Sequence, residues 1–147
     1  MKRYRVRWLI LALLPAAFAV FGQADEEGFI RLMPGELDWG ESDGNSIGFV
    51  VLAGDPQQEG FYVIRARFPP GVMSSPHYHP TDRHVTVISG TWHTGTGAEF
   101  DTDAMVPLEP GSYMMHPAGA IHYDGAKDEE VIVEIKGIGP APTIRVE

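Results

Sequence analysis

Beyond residue 24 no stretch of the sequence holds an apolar period of 3.6 for three turns, and this rules out a fold built on helices. The pattern is instead short apolar runs broken by Gly, Pro, Asn and Asp. Residues 61–68 (FYVIRARF) alternate, with Tyr62, Ile64, Ala66 and Phe68 on one face and Val63, Arg65 and Arg67 on the other. Residues 130–136 (EVIVEIK) set Val131, Val133 and Ile135 against Glu130, Ile132, Glu134 and Lys136. Residues 85–89 (VTVIS) begin as β-branched alternation, and 46–52 (SIGFVVL) form a more fully apolar strand candidate. Turn chemistry separates the runs: DGN at 43–45, GDP at 54–56, PPG at 69–71, SG at 89–90 and EPG at 109–111. Short strands at regular spacing with frequent turns predict an all-β sandwich or barrel. Residues 95–104 (GTGAEFDTDA) read as an exposed loop, and no internal repeat, linker or second domain is visible.

The first 24 residues stand apart. Residues 2–7 (KRYRVR) carry four positive charges, and WLILALLPAAFAVF follows as an uncharged run of 14 residues ending near the small-residue sequence GQA. That order is the order of a secretory signal, with cleavage expected after Ala24 and a periplasmic or secreted location. The run is shorter than the ~20 residues of a spanning helix, and Pro15 interrupts it. The remaining stretch, 25–147, is expected to be one domain. It holds seven of the eleven Lys and Arg against all twenty Asp and Glu, a formal charge of −13. Such a surface repels phosphate backbones and anionic lipid, so neither nucleic acid nor membrane is an expected partner. Cysteine is absent, which removes disulfides, thiolate metal sites and Cys nucleophiles.

All six histidines lie between 77 and 122, three of them in HYHPTDRH at 77–84. In a strand, His77 and His79 point to the same side and aim two imidazoles at one place. An isolated H-x-H is as readily a pair of surface histidines, so the surrounding spacing decides. Residues 71–90 read GVMSSPHYHPTDRHVTVISG and residues 111–122 read GSYMMHPAGAIH. They resemble the two motifs of the cupin superfamily, G-x5-H-x-H-x3-4-E-x6-G and G-x5-P-x-G-x2-H-x3-N. Gly71, His77, His79 and Gly90 match the first; Gly111, Pro117, Gly119 and His122 match the second. The resemblance covers roughly 61–136 and implies a double-stranded β-helix, a small jelly-roll barrel of six or more strands. It also implies that His77, His79 and His122 ligate one divalent transition metal: Fe, Mn, Ni, Cu or Zn. Three imidazoles leave coordination positions open for water or substrate.

The chain departs from the motif where it expects Glu, at Arg83, and less consequentially at Ala126, where it expects Asn. Three readings follow. In the first, a three-histidine metal sits beside Arg83, whose guanidinium fork binds an anionic substrate. In the second, a bulge between Pro80 and Asp82 turns His84 inward as a fourth ligand. In the third, Arg83 excludes the metal and leaves a metal-free binding pocket. Strand parity favours Arg83 over His84 facing in with Val85 and Val87. His116 is read as a structural histidine with a backbone partner, or as a pocket acid or base. His93 is assigned to the rim or surface, Tyr78 faces away from the pocket, and Tyr113, Met114 and Met115 are assigned to barrel lining or core. Asp82 or Asp124 could orient a ligand histidine. No nucleophile elbow, phosphate-cradling loop or dinucleotide fingerprint occurs. Three functions remain: an exported metalloenzyme of oxygenase or related type acting on a small oxygen-bearing substrate, anionic where Arg83 binds it; a non-catalytic small-molecule-binding module; and an interaction protein that dimerises through a strand edge. The first two are also compatible with a homodimer.

Overall fold

A computed structural model describes residues 24–40 and 43–146. The export signal expected at 1–24 therefore falls outside the described residues, apart from Ala24. The strands are β1 (Gly48–Ala53), β2 (Gly60–Phe68), β3 (His77–Tyr78), β4 (Arg83–Ser89) and β5 (Trp92–Thr96), then β6 (Val106–Leu108), β7 (Tyr113–His116), β8 (His122–Ala126), β9 (Val131–Gly139) and β10 (Ile144–Arg145). Among the described residues there is no α-helix, only a single 3-10 turn at Pro34–Glu36. The strands form two five-stranded antiparallel sheets, ordered β1-β2-β9-β4-β7 and β10-β3-β8-β5-β6. This is the all-β architecture that the alternation and turn chemistry predict, in the double-stranded β-helix form that the resemblance implies.

The alternating runs bury the faces expected of them. Tyr62, Ile64, Ala66 and Phe68 of β2 and Val131, Val133 and Ile135 of β9 face inward with Val85 and Val87 of β4. Trp92 of β5 and Ala126 of β8 meet them from the second sheet. Each fully buried Val, Ile or Phe contributes about 1.5–3 kcal/mol, so this core carries the fold without disulfides. On the outer face Arg65 and Glu134 are cross-strand partners at 3.1 Å, with Lys136 on the other carboxylate oxygen at 2.9 Å. Such pairs are worth about 1 kcal/mol or less.

Two expectations need correction. Gly95 and Thr96 belong to β5, so the loop begins only at Gly97. The loop also does structural work: the Tyr123 hydroxyl donates to Asp101 O and accepts from Asp101 N, both at 3.1 Å, and Phe100 packs on its ring. Of the three residues assigned to the lining, only Met114 packs against the core. Tyr113 is 62% exposed and Met115 39%, because they alternate along β7 with the inward Met114 and His116 and point to the outer face.

Gly90 makes the β4–β5 turn at φ +70°, and a Cβ there would lie 2.2 Å from the Glu130 carbonyl oxygen. Both the left-handed backbone and the close approach exclude a side chain. Gly90→Ala is expected to cost about 3 kcal/mol or more, measured by urea unfolding. A loss below about 1 kcal/mol would show that the turn can move away.

Candidate metal centre

His77 and His122 are direct cross-strand partners on β3 and β8, and their ring centroids lie 4.4 Å apart. His79 follows β3 two residues on from His77, so it projects to the same side, 5.0 Å from His77 and 5.4 Å from His122. All three are buried, and one ring nitrogen from each lies within 4.8 Å of the others. The turns that deliver them depend on Gly71 and Gly119, both at positive φ, and Gly119 N donates to His79 O at 2.8 Å. The H-x-H strand and the distant histidine thus meet, as the resemblance implies.

Each of the three rings is pinned in the same way. His77 Nδ1 lies 2.7 Å from Ser75 O, His79 Nδ1 3.0 Å from Pro142 O and His122 Nδ1 2.9 Å from Ala120 O. A carbonyl oxygen only accepts, so each Nδ1 must carry the proton and donate it. In the neutral ring Nε2 then keeps its lone pair, the state a metal requires. Burial, with nearby charges adding to it, pushes the His79 pKa down to about 3 and the His122 pKa down to about 4. Both are therefore neutral near pH 7. The Nε2 of His122 is buried and has no hydrogen-bond partner in the protein. This is an orphaned donor atom of the kind a divalent transition metal satisfies, and the three imidazoles as a donor set fit one.

Arg83 enters this cluster from β4. Its Nη1 donates to His79 Nε2 at 2.7 Å, and its Nε donates to the Tyr62 hydroxyl at 3.1 Å. Parity holds as expected: Arg83 shares the inner face with Val85 and Val87, whereas His84 is exposed. His84 Nδ1 lies 2.7 Å from the Tyr113 hydroxyl on the outer surface. His84 as a fourth ligand is therefore corrected. The one register shift between β4 and β9 falls at Val87–Ser89, too late to turn His84 inward.

His116 ends β7 opposite Arg83 and lies deep in the cluster, its ring 3.7 Å from that of His122 and 5.8 Å from Trp92. It is 4% exposed, and neither ring nitrogen has a partner, so the expected backbone bond is absent. Burial, followed by the charges of His122 and Arg83, pushes its pKa down to about 2. Asp124 is buried two residues beyond His122 on β8, and one carboxylate oxygen accepts from Ser74 Oγ at 3.2 Å. Burial raises its pKa to about 6. Ring nitrogens of His116 and His122 and an Asp124 oxygen form a second group within 4.8 Å. Asp82 instead takes a structural role, accepting from Ala118 N at 2.7 Å. His93 is half-buried on β5, and Tyr78 is half-buried between the two inward histidines. Ala126 is fully buried, so the motif's Asn would need partners there.

The cluster opens into a cavity of about 490 Å³ between the sheets. Phe49, Phe68, Val133 and Ile135 supply apolar wall; Arg83 and the exposed Arg145 supply the positive groups, with Asp124 the only acid lining it among the described residues. The Asp124 position was open to parity reasoning, since His122 and Asp124 are i and i+2 on one strand. Arg145 carries no local signal, because only pairing of β10 with β3 sets it beside His77.

Solved structures with the same fold include the polyketide cyclase RemF from Streptomyces resistomycificus, at 15% identity and TM-score 0.65, covering 81% of this chain and 86% of that one. The cupin-2 domain Rru_A2000 from Rhodospirillum rubrum matches at 16% identity and TM-score 0.61, covering 80% and 79%. The DMSP lyase DddQ from Ruegeria pomeroyi DSS-3 matches at 16% identity and TM-score 0.59, covering 79% of this chain. The chain spans 53% and 59% of the DMSP lyase chains it matches, less than two thirds of their length. Among curated proteins none matches. Residues 28–139 match the ChrR cupin-like domain, and with its two sheets and converging histidines the chain belongs to that cupin family.

Proposed function

We propose that this chain is an exported, metal-dependent cupin that acts on a small oxygen-bearing anionic molecule. The observation that carries the reading is the common pinning of His77, His79 and His122. Three Nδ1–H groups are committed to backbone carbonyls, which turns three Nε2 atoms toward one divalent transition metal, that of His79 becoming available once Arg83 Nη1 releases it. When bound, such an ion polarises a coordinated oxygen or passes electrons to dioxygen. The chain's own contribution is selection and placement. Arg83 is held by Tyr62 and retains N–H donors for a carboxylate. The apolar wall excludes water around the rest of the ligand. The cavity suits a small metabolite and not a polymer. Fold neighbours named as a cyclase and as lyases are consistent with chemistry on small organic substrates. We place the protein in the periplasm or outside the cell, on the strength of residues 1–24, and as a homodimer compatible with its open strand edges.

Elemental analysis of tag-free protein should find close to one equivalent of a divalent transition metal. A pocket filled by an organic ligand with no metal would favour a second reading, a metal-free binding module. The specific support for that reading is Arg83 Nη1 at 2.7 Å from His79 Nε2, where it occupies a lone pair the metal needs. Arg83→Glu tests the two readings together. It removes a positive charge and supplies a carboxylate, so affinity for Zn²⁺ or Co²⁺ by calorimetry should rise about tenfold or more. Binding of small carboxylates should fall by a similar factor. Unchanged values for both would remove Arg83 from the site's chemistry.

A further inference from the structure

We propose that His116, His122 and Asp124 form a second seat for the same cation, taken while Arg83 holds the His79 lone pair. This rests on the reading of the cluster as a metal site, and goes beyond it in naming a different donor set. Two overlapping groups of three share His122. His122 Nδ1 is committed to Ala120 O, so its single free nitrogen serves one ion at a time. In the first group His79 Nε2 already accepts from Arg83 Nη1. In the second the imidazole lone pairs are uncontested: neither ring nitrogen of His116 has a partner, although the residue is 4% exposed.

The elements that make the second seat come from both sheets. β7 of the first sheet supplies His116; β8 of the second supplies His122 and Asp124, two residues apart on one inward face. Ser74 holds Asp124 by donating to one oxygen at 3.2 Å, and the Asp124 amide donates back to Ser74 Oγ at 2.9 Å. The Trp92 indole N–H, otherwise without a partner, also acts on this carboxylate, so a cation here shares it with that group. The motif's carboxylate, missing at Arg83, is thus replaced from β8. Arg83 is the cross-strand partner of His116, so its charge acts on both seats. What separates them is the blocked lone pair in one and the carboxylate in the other. Two imidazoles and a carboxylate suit a borderline divalent ion, Fe(II) among them, with Co²⁺ as its spectroscopic stand-in.

The test is Co²⁺ titration of the full protein in carboxylate-free buffer, read by calorimetry and by visible absorption. Asp124→Asn and His116→Ala should each weaken Co²⁺ binding at least tenfold, while His79→Ala changes it less than about threefold. In an Arg83→Met background the order should reverse, because His79 is then released. Loss of binding in His79→Ala, with His116→Ala and Asp124→Asn unaffected, overturns the second seat and leaves the three-histidine reading standing. Absence of any Co²⁺ binding by the unaltered protein overturns both. Should a variant fail to fold, the anomalous Co²⁺ peak in crystals of the unaltered protein decides: beside His116 and Asp124 it supports the proposal, and beside His79 it overturns it.

Discussion

Replacing His77 and His122 together with alanine is expected to lower affinity for a divalent transition metal at least ~10³-fold. Groups that merely orient a ligand cost 10–100-fold when lost, and here two ligands go. His122 belongs to both donor groups, so neither seat survives its loss. The two residues are direct partners across β3 and β8, and their side chains face the cavity instead of the apolar core. The double variant should therefore stay folded, with strand content by circular dichroism unchanged. Metal content below a tenth of an equivalent after dialysis is the expected result. Retention of a full equivalent would move the metal elsewhere and end the cupin-type reading of this site.

The metal-free protein should lose stability steeply in acid. His79, His116 and His122 have folded pKa values near 3, 2 and 4, against an ordinary 6.5. A histidine depressed in this way takes its proton only in the unfolded chain, so stability is full above about pH 6.5 and falls below it. Asp124 acts in the opposite sense. Its folded pKa of about 6 lies above the ordinary 3.8, so between those values the folded chain holds the extra proton. Between about pH 4 and 6 unfolding thus takes up three protons on histidine and releases one from Asp124. A net of two gives roughly 3 kcal/mol per pH unit, on the order of 5 kcal/mol across the window. That rivals the whole stability of an ordinary domain, about 5–15 kcal/mol. Urea titrations from pH 4 to 8 measure the slope. His116→Ala should reduce it by about one proton. A profile flat between pH 4 and 7 would show that these imidazoles are not held neutral by burial.

The inward faces of β2, β4 and β9 were legible in the sequence because side-chain direction in a strand has a period of two. Tyr62 to Phe68 and Val131 to Ile135 needed no tertiary knowledge. Parity also put Arg83 inside and His84 outside. The same rule could have marked Asp124 from His122, had the inward face of β8 been assigned. Tyr113 and Met115 look like lining in a list of apolar residues, but on β7 they alternate with the inward Met114 and His116 and so lie on the outer face. His116 was placed near the pocket, but its lack of any partner is a fact about what surrounds it and not about its neighbours in the chain.

The chain's local pattern by itself determined an all-strand fold and its buried faces, while the meeting of the H-x-H pair with His122 followed only from the resemblance of its glycine and histidine spacing to the cupin motifs. Only the tertiary structure decided that Arg83 rests on His79, that His116 and Asp124 join the cluster from opposite sheets, and that Arg145 reaches the cavity mouth. The reason is distance along the chain. Direction from a strand is set by the nearest residues, whereas these contacts depend on which strands pair and how closely two sheets approach, and no short stretch of sequence encodes either.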